Sequence, residues 1–167
     1  MLNSRNLLLL FILVFFTAPV FSLEKTSQLY HEGESLALKG DIDSAIEKFK
    51  KVVERSPCYC MGHYGLGKAY LYKYGMLDLA IQHLSEAVKL DRKLAKGHFY
   101  LGMACFLGRK YIQALHSFKN AYDNDDSLIE ALYNISVIYD IMGKNYEAEV
   151  YFKKYITEKE RDEDILF

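Results

Sequence analysis

The chain has 167 residues, 51% apolar and 26% charged, a globular balance that excludes an intrinsically disordered protein and suits one domain of ordinary size. Its formal net charge is -1, so no bulk positive field exists to draw in a nucleic-acid backbone, and nucleic acid is not an expected partner. Trp is absent and only two prolines accompany 14 Tyr and 10 Phe, a composition that fits close-packed helices better than a loop-rich fold.

Residues 1–22 read as an export signal, or as an N-terminal anchor if it stays uncleaved. Arg5 supplies a positive charge, residues 7–16 (LLLLFILVFF) form an apolar core, Pro19 breaks the helix, and Ser22 is a small residue at a cleavage point before Leu23. The apolar stretch at 6–21 is short of the about 20 residues that a spanning helix takes. Both readings lead to the expectation of an exported, periplasmic or envelope-associated protein, with residues 6–21 as a membrane tether in the uncleaved case. No Cys lies near Ser22, so lipid attachment is not expected there.

The rest of the chain repeats with a period of about 34 residues. Gly33, Gly67, Gly102 and Ser136 mark four copies, each followed twelve or thirteen residues later by Ala45, Ala80, Ala114 or Ala148, and then after four more by Phe49, Leu84, Phe118 or Phe152. A fixed period of this length means one supersecondary unit stacked on itself. Apolar residues at three- and four-residue steps predict two helices per unit, with the small residues letting the two backbones approach closely. Gly40-Asp41 and Gly143-Lys144-Asn145 predict the turns inside the first and fourth units, Gly75 that of the second, which carries one extra residue between Tyr72 and Asp78. Pro57 predicts the end of the first unit, and the polar run Asp123-Asn124-Asp125-Asp126-Ser127 predicts a linker that caps the next helix. The predicted units are 26–59, 60–94, 95–128 and 129–162, with a tail at 163–167.

The third unit reads His98-Phe99-Tyr100-Leu101-Gly102, then Cys105, Ala114, Phe118 and Ala121; the second reads Leu66-Gly67-Lys68-Ala69-Tyr70, then Ala80 and Ala87. These residues resemble the tetratricopeptide repeat pattern, over roughly residues 26 to 162. His63 and His98 stand where that pattern favours Trp, and only Pro57 keeps its terminal Pro. The resemblance implies an all-α, right-handed solenoid of four helix-turn-helix repeats that binds another protein or peptide without catalysis. It also implies that the first helix of each unit lines a concave surface.

Helical spacing then assigns the inward side chains: Ser27, Tyr30, Glu34 and Ala37; Met61, Tyr64, Lys68 and Leu71; Lys96, Phe99, Met103 and Phe106; Glu130, Tyr133, Val137 and Asp140. Tyr30, Tyr64, Phe99 and Tyr133 share one register and predict an aromatic column along the groove, beside Met61 and Met103. The expected partner is an amphipathic helix or extended peptide with apolar anchors, and Lys68 and Lys96 would hold an acidic group on it. The competing reading is that these aromatics pack against the neighbouring unit. Some members of the family grip a C-terminal carboxylate with Lys, Asn and Arg; here Tyr30, Glu34, Gly65 and Tyr100 fall on those positions and only Lys96 fits, so that ligand is not expected.

The remaining motifs are weaker. Cys58, Cys60 and His63 gather soft metal ligands within six residues, an alternative reading as a metal or thiol-redox accessory protein, but the spacing matches no strong metal signature. The three cysteines form no disulfide framework, and Cys105 reads as a small buried hydrophobe. The Asp-rich linker lacks a calcium loop's Gly and Glu, with Leu128 and Asn134 in their places. No nucleophile-base set, phosphate-cradling loop or cofactor motif appears, so neither enzyme activity nor a cofactor is expected. Asn134-Ile135-Ser136 is a sequon inside a helix. Val150, Tyr151, Tyr155 and Ile156 of the last helix are expected to be partly bare. The last helix, or the tail ending Ile165-Leu166-Phe167, thus offers a route to homo-oligomers, and self-assembly is a third functional reading.

Overall fold

The computed structural model describes residues 25–164, with side chains through 161. The signal or anchor at 1–22 and the apolar tip at 165–167 lie outside the described residues. Helix α1 occupies 25–38, followed by α2 (Ile42–Arg55), α3 (Cys60–Leu71), α4 (Leu77–Leu90), α5 (Ala95–Leu107), α6 (Tyr111–Asn124), α7 (Glu130–Ile141) and α8 (Asn145–Asp164). The described residues contain helices and turns alone. Each helix from α2 to α8 packs on its neighbours in sequence, and α3 also touches α5, so the first helices of the second and third units lie side by side. No described helix is long and apolar enough to cross a membrane.

Steric fit between small and large residues sets the helix spacing. A Cβ at Gly33 would fall 2.7 Å from Phe49 Cε1, one at Gly67 2.7 Å from Leu84 Cγ, and one at Gly102 2.8 Å from Phe118 Cδ1. In the first three units the second helix therefore inserts its large side chain against bare backbone. The same side chain also meets the next unit: a Cβ at Gly65 would lie 2.6 Å from Phe49. Phe49 is thus held between Gly33 of its own unit and Gly65 of the next. Ala45, Ala80 and Ala114 are fully buried, and Phe49, Leu84 and Phe118 are 2%, 0% and 0% exposed. In the fourth unit, Phe152 is 44% exposed.

Three of the turns share one hydrogen bond. Asp41 N–H donates to Leu36 O, Lys110 N–H to Cys105 O and Lys144 N–H to Tyr139 O, closing the Schellman geometry at the ends of α1, α5 and α7. Gly40 and Gly143 supply the left-handed residue in two of them; in the third, Arg109 takes it with φ 56°. Asp41 then caps α2, its Oδ1 accepting from Ser44 N–H at 3.1 Å.

The acidic linker differs from expectation. Asp123 and Asn124 belong to the last turn of α6, and α7 has no side-chain cap. Asp125 Oδ1 instead accepts from Ser127 N–H (3.1 Å) and Ser127 Oγ–H (2.6 Å). Its carboxylate is consumed by a local turn two residues on, the usual competitor of a cap. Cys105 is buried, as expected of a small core residue.

Helix α8 runs to Asp164, whereas α2, α4 and α6 stop eleven residues after their marker alanine, at the C-caps Ser56, Asp91 and Asp125. It is anchored back to α6. Lys154 Nζ lies 4.3 Å from the Tyr122 ring centre, Tyr122 Oη–H donates to Glu158 Oε1 (3.4 Å), and Glu158 pairs with Arg161. Lys119 adds a tie across three helices, donating to Tyr139 Oη at 3.0 Å and lying over the Tyr139 and Tyr151 rings.

Equivalent positions should therefore differ in cost. Phe118→Ala should lower unfolding free energy by ~3–5 kcal/mol, as deletion of a fully packed aromatic does. Phe152→Ala, at the same register but half open, should cost about 1–2 kcal/mol. Urea titration followed by circular dichroism measures both.

Candidate functional site: the cleft between the first helices

Four marker positions share a register, but the structure gives them different surroundings. Tyr30 is 3% exposed; its ring meets Phe49 at 5.6 Å and Tyr59 of the next linker at 6.2 Å, and its hydroxyl donates to Glu34 Oε1 at 2.9 Å. Burial, reinforced by the Glu34 carboxylate, pushes its pKa upward. Tyr64 is buried beside Tyr100 at 5.8 Å, and burial raises its pKa also. Phe99 is half-buried against Phe118 and Tyr100. Tyr133 is 46% exposed and touches Tyr155 of its own unit. The column therefore does not form as a continuous exposed stripe. The chain that follows closes over Tyr30 and Tyr64: Tyr59 of the linker after α2 stands opposite the first, and Tyr100 of the third unit opposite the second.

A concavity survives between α1 and α3. It encloses about 380 Å³, with Phe49 at its floor and Tyr30, Tyr64, Glu34, Lys68 and Gly65 among its walls. Leu38 and Tyr72 line it too, 89% and 64% exposed. Lys68 Nζ sits 4.9 Å from the Tyr100 ring centre and 6.0 Å from that of Tyr64, held over two aromatic faces. Of the residues assigned inward, Tyr30, Tyr64 and Lys68 thus meet at one cavity, together with Glu34 and Ala37.

The others lie elsewhere. Met61 packs against both core clusters, and Met103 and Phe106 against one of them, Phe106 beside Tyr111 at 6.1 Å. Lys96 is exposed away from the cavity lining. Tyr133 and Val137 line a second recess, about 340 Å³, between α7 and α8 with Asp140, Ala148, Glu149 and Phe152. Leu38, Tyr72 and Tyr100 escaped the sequence reading. Leu38 and Tyr72 carried a signal, since each lies five residues after its marker glycine and Leu107 and Ile141 repeat the position, all four exposed.

Of the Cys58, Cys60 and His63 group, His63 is engaged in structural contacts, while Cys58 is exposed and Cys60 half-buried, both as free thiols. His63 Nε2–H donates to Pro57 O at 3.1 Å, which leaves Nδ1 to accept from His83 Nδ1–H at 3.1 Å. His98 repeats the first contact one unit on, donating from Nε2 to Arg92 O at 3.0 Å. Each histidine stands where the repeat pattern favours Trp and ties its helix to the carbonyl six residues earlier in the linker. Burial pushes the Cys60 thiol pKa up, against thiolate formation. Among the described residues no group of three His, Cys, Asp or Glu is placed to hold a metal.

Burial lowers the pKa of His83, with His63 beside it adding to the effect, and burial lowers that of His98. Both are then held neutral in the fold while the unfolded chain protonates near pH ~6.5. Above that pH neither group biases stability; as pH falls through ~6.5 the unfolded state binds protons that the fold resists. The melting temperature should fall from pH 7 to pH 5, and His83→Gln/His98→Gln should flatten that slope. An unchanged slope in a calorimetric pH series would refute the assignment.

Comparison with known proteins agrees with this architecture. The tetratricopeptide repeat family model matches residues 29–57 and 129–162. A small glutamine-rich tetratricopeptide repeat-containing protein 2 of Mycosarcoma maydis is 30% identical over 105 residues, 63% of this chain; the chain spans 30% of the length of that curated relative. Among solved structures, one of MamA superposes with a TM-score of 0.74 at 30% identity, over 81% of this chain and 74% of that one. A MamA structure from Desulfovibrio magneticus RS-1 gives 0.74 at 26% identity over 83% and 77% of the two chains. A thermophilic TPR protein of Thermus thermophilus gives 0.68 at 26% identity over 83% and 76%.

Proposed function

Because the chain belongs to the tetratricopeptide repeat family, whose fold supports protein–protein interaction, we propose that it is a non-enzymatic scaffold that holds a partner helix or extended peptide in the cleft between α1 and α3. The observation that carries this reading is the cavity itself. It is apolar at its floor, wide enough for one large side chain, and bordered by two exposed apolar residues, Leu38 and Tyr72. Leu38 and Tyr72 add apolar area continuous with the recess, which a partner's apolar side chain could cover.

Polar groups orient the guest. Glu34 accepts from Tyr30 on one wall, and Lys68 faces it from the other helix, held over aromatic rings. An apolar anchor on the partner would enter between them, with an acidic group of the partner reaching Lys68. Tyr30 and Tyr64 shape the cavity rather than offering free area. The contact energy would then concentrate on Leu38, Tyr72 and Lys68. We further propose that the scaffold works on the extracytoplasmic side, in an envelope-associated complex; the support for this is the apolar stretch at 6–21.

The test compares cross-linked capture from intact cells by the native chain and by Leu38→Ala/Tyr72→Ala. Both side chains are exposed, so the variant should keep its helical circular dichroism and melting point. A partner enriched by the native chain should be reduced about tenfold or more with the variant, as loss of two hot-spot side chains implies. Equal capture by both would move the site off the cleft.

A further inference from the structure

Two opposite charges face the α1–α3 cavity and do not meet. Glu34 on α1 and Lys68 on α3 each follow their marker glycine by one residue, so they hold the same register in neighbouring units. Both line the cavity, and no other described residue that lines it carries a charge. Packed helices lie with axes about 8–10 Å apart, within reach of a direct ion pair between two long side chains at one level. Among the described residues no such pair forms: Lys68 makes no ion pair, and Glu34 makes none with a lysine or arginine.

The causes are local. Lys68 Nζ lies 4.9 Å from the Tyr100 ring centre, drawn toward the third unit. The Glu34 carboxylate accepts from the Tyr30 hydroxyl at one oxygen (2.9 Å) and sits 3.1 Å from His31 Nδ1 at the other. A hydroxyl donor leaves the negative charge in place, and exposed His31 balances it only when protonated. A carboxylate that accepts two hydrogen bonds keeps lone pairs for further donors. Its field reaches α3: burial raises the Tyr64 pKa, with Tyr100 and Glu34 adding to the effect. The same register holds Met103 in the third unit and Val137 in the fourth, with Met103 packed against the core. The opposed charges therefore belong to the first interface and are not a feature of the repeat.

We propose that the cleft selects its partner by a bipolar charge pattern. The partner is a peptide segment of another protein, in which an apolar anchor has Lys or Arg on one side, to meet Glu34, and Asp or Glu on the other, to meet Lys68. This rests on the reading of the cleft as a protein-binding site, and adds what the partner carries and which way it lies. A reversed segment sets like charges together, so the pair fixes direction across the two helices. A free amino acid carries both charges but leaves Leu38 and Tyr72 uncovered at the cavity; a longer chain covers both.

The probes are four fluorescently labelled peptides with blocked ends: Lys-Ser-Leu-Ser-Glu, its reverse, and the uniform forms with two lysines or two glutamates. Alternation puts the charges and the leucine on one face of an extended chain. Each is titrated against the full chain by anisotropy. One of the two bipolar orders should bind about tenfold or more tighter than its reverse and than either uniform peptide. Glu34→Gln keeps an acceptor for the Tyr30 hydroxyl, and Lys68→Met brings in the residue type of this register in the third unit, so both should keep native circular dichroism. In Lys68→Met the preference over the two-lysine peptide should vanish; in Glu34→Gln, the preference over the two-glutamate peptide. Equal binding of all four peptides, weakened by Leu38→Ala/Tyr72→Ala, overturns the bipolar rule and leaves the cleft standing as a site. A charge preference that survives both neutral variants and Leu38→Ala/Tyr72→Ala is read elsewhere and refutes both. Absence of binding up to about 1 mM overturns this inference, and the cleft is then judged by capture from cells alone. Displacement of the peptide by an equal concentration of free leucine gives the cavity to a small ligand and refutes it as well.

Discussion

Phe49 lies with its ring against the backbone of Gly33 on one side and Gly65 on the other. The first contact joins two helices of one unit; the second joins that unit to the next. Neither glycine can gain a Cβ without moving an aromatic ring that has nowhere to go, since the residue is 2% exposed. The remaining packing follows from this arrangement. No unit can bury its own large residue alone, so burial is completed only by a neighbour, which is the physical content of a solenoid. The stack is stabilised interface by interface, and its last face has no internal neighbour among the described residues.

The same constraint makes the cleft. Glycine contacts draw α1, α2 and α3 together at Phe49, and the cavity opens beside that ring, lined by Leu38 of α1 and by Tyr72 just after α3. Tyr30 and Tyr64 are drawn into the walls by the same approach. Polar residues are then held by what surrounds them: Glu34 by the Tyr30 hydroxyl, Lys68 by the rings of Tyr64 and Tyr100. At the other end of the stack, Tyr133 keeps the register of Tyr30, and among the described residues no following unit covers it. One sequence position thus yields a buried wall in one unit and an exposed ring in another.

The period of the markers made the helices and their pairing legible from sequence, because Gly33, Gly67 and Gly102 are needed only where backbones nearly touch. The turns were legible where glycine supplied the left-handed residue; Arg109 does that work without announcing it. The site was legible in part. Helical spacing placed Tyr30, Tyr64 and Lys68 on one surface, but spacing within a unit says nothing of how far the next unit reaches over it. That is why the aromatic row looked uniform in sequence and differs in exposure in the fold. The acidic linker misled for a local reason: an aspartate two residues before Ser127 finds that serine before it finds a helix end. His63 and His98 shared a register, yet their carbonyl partners in the linkers emerged only from the folded geometry.

Residue-resolved hydrogen exchange on the full chain measures most directly whether each unit depends on the next to bury its face. The account predicts protection that is greatest in α3 to α6, where both faces are covered, and clearly lower along α8 beside the open face, despite the greater length of α8. Protection in α8 equal to that of α4 and α6 would contradict it, because the fourth unit would then be stable without a neighbour.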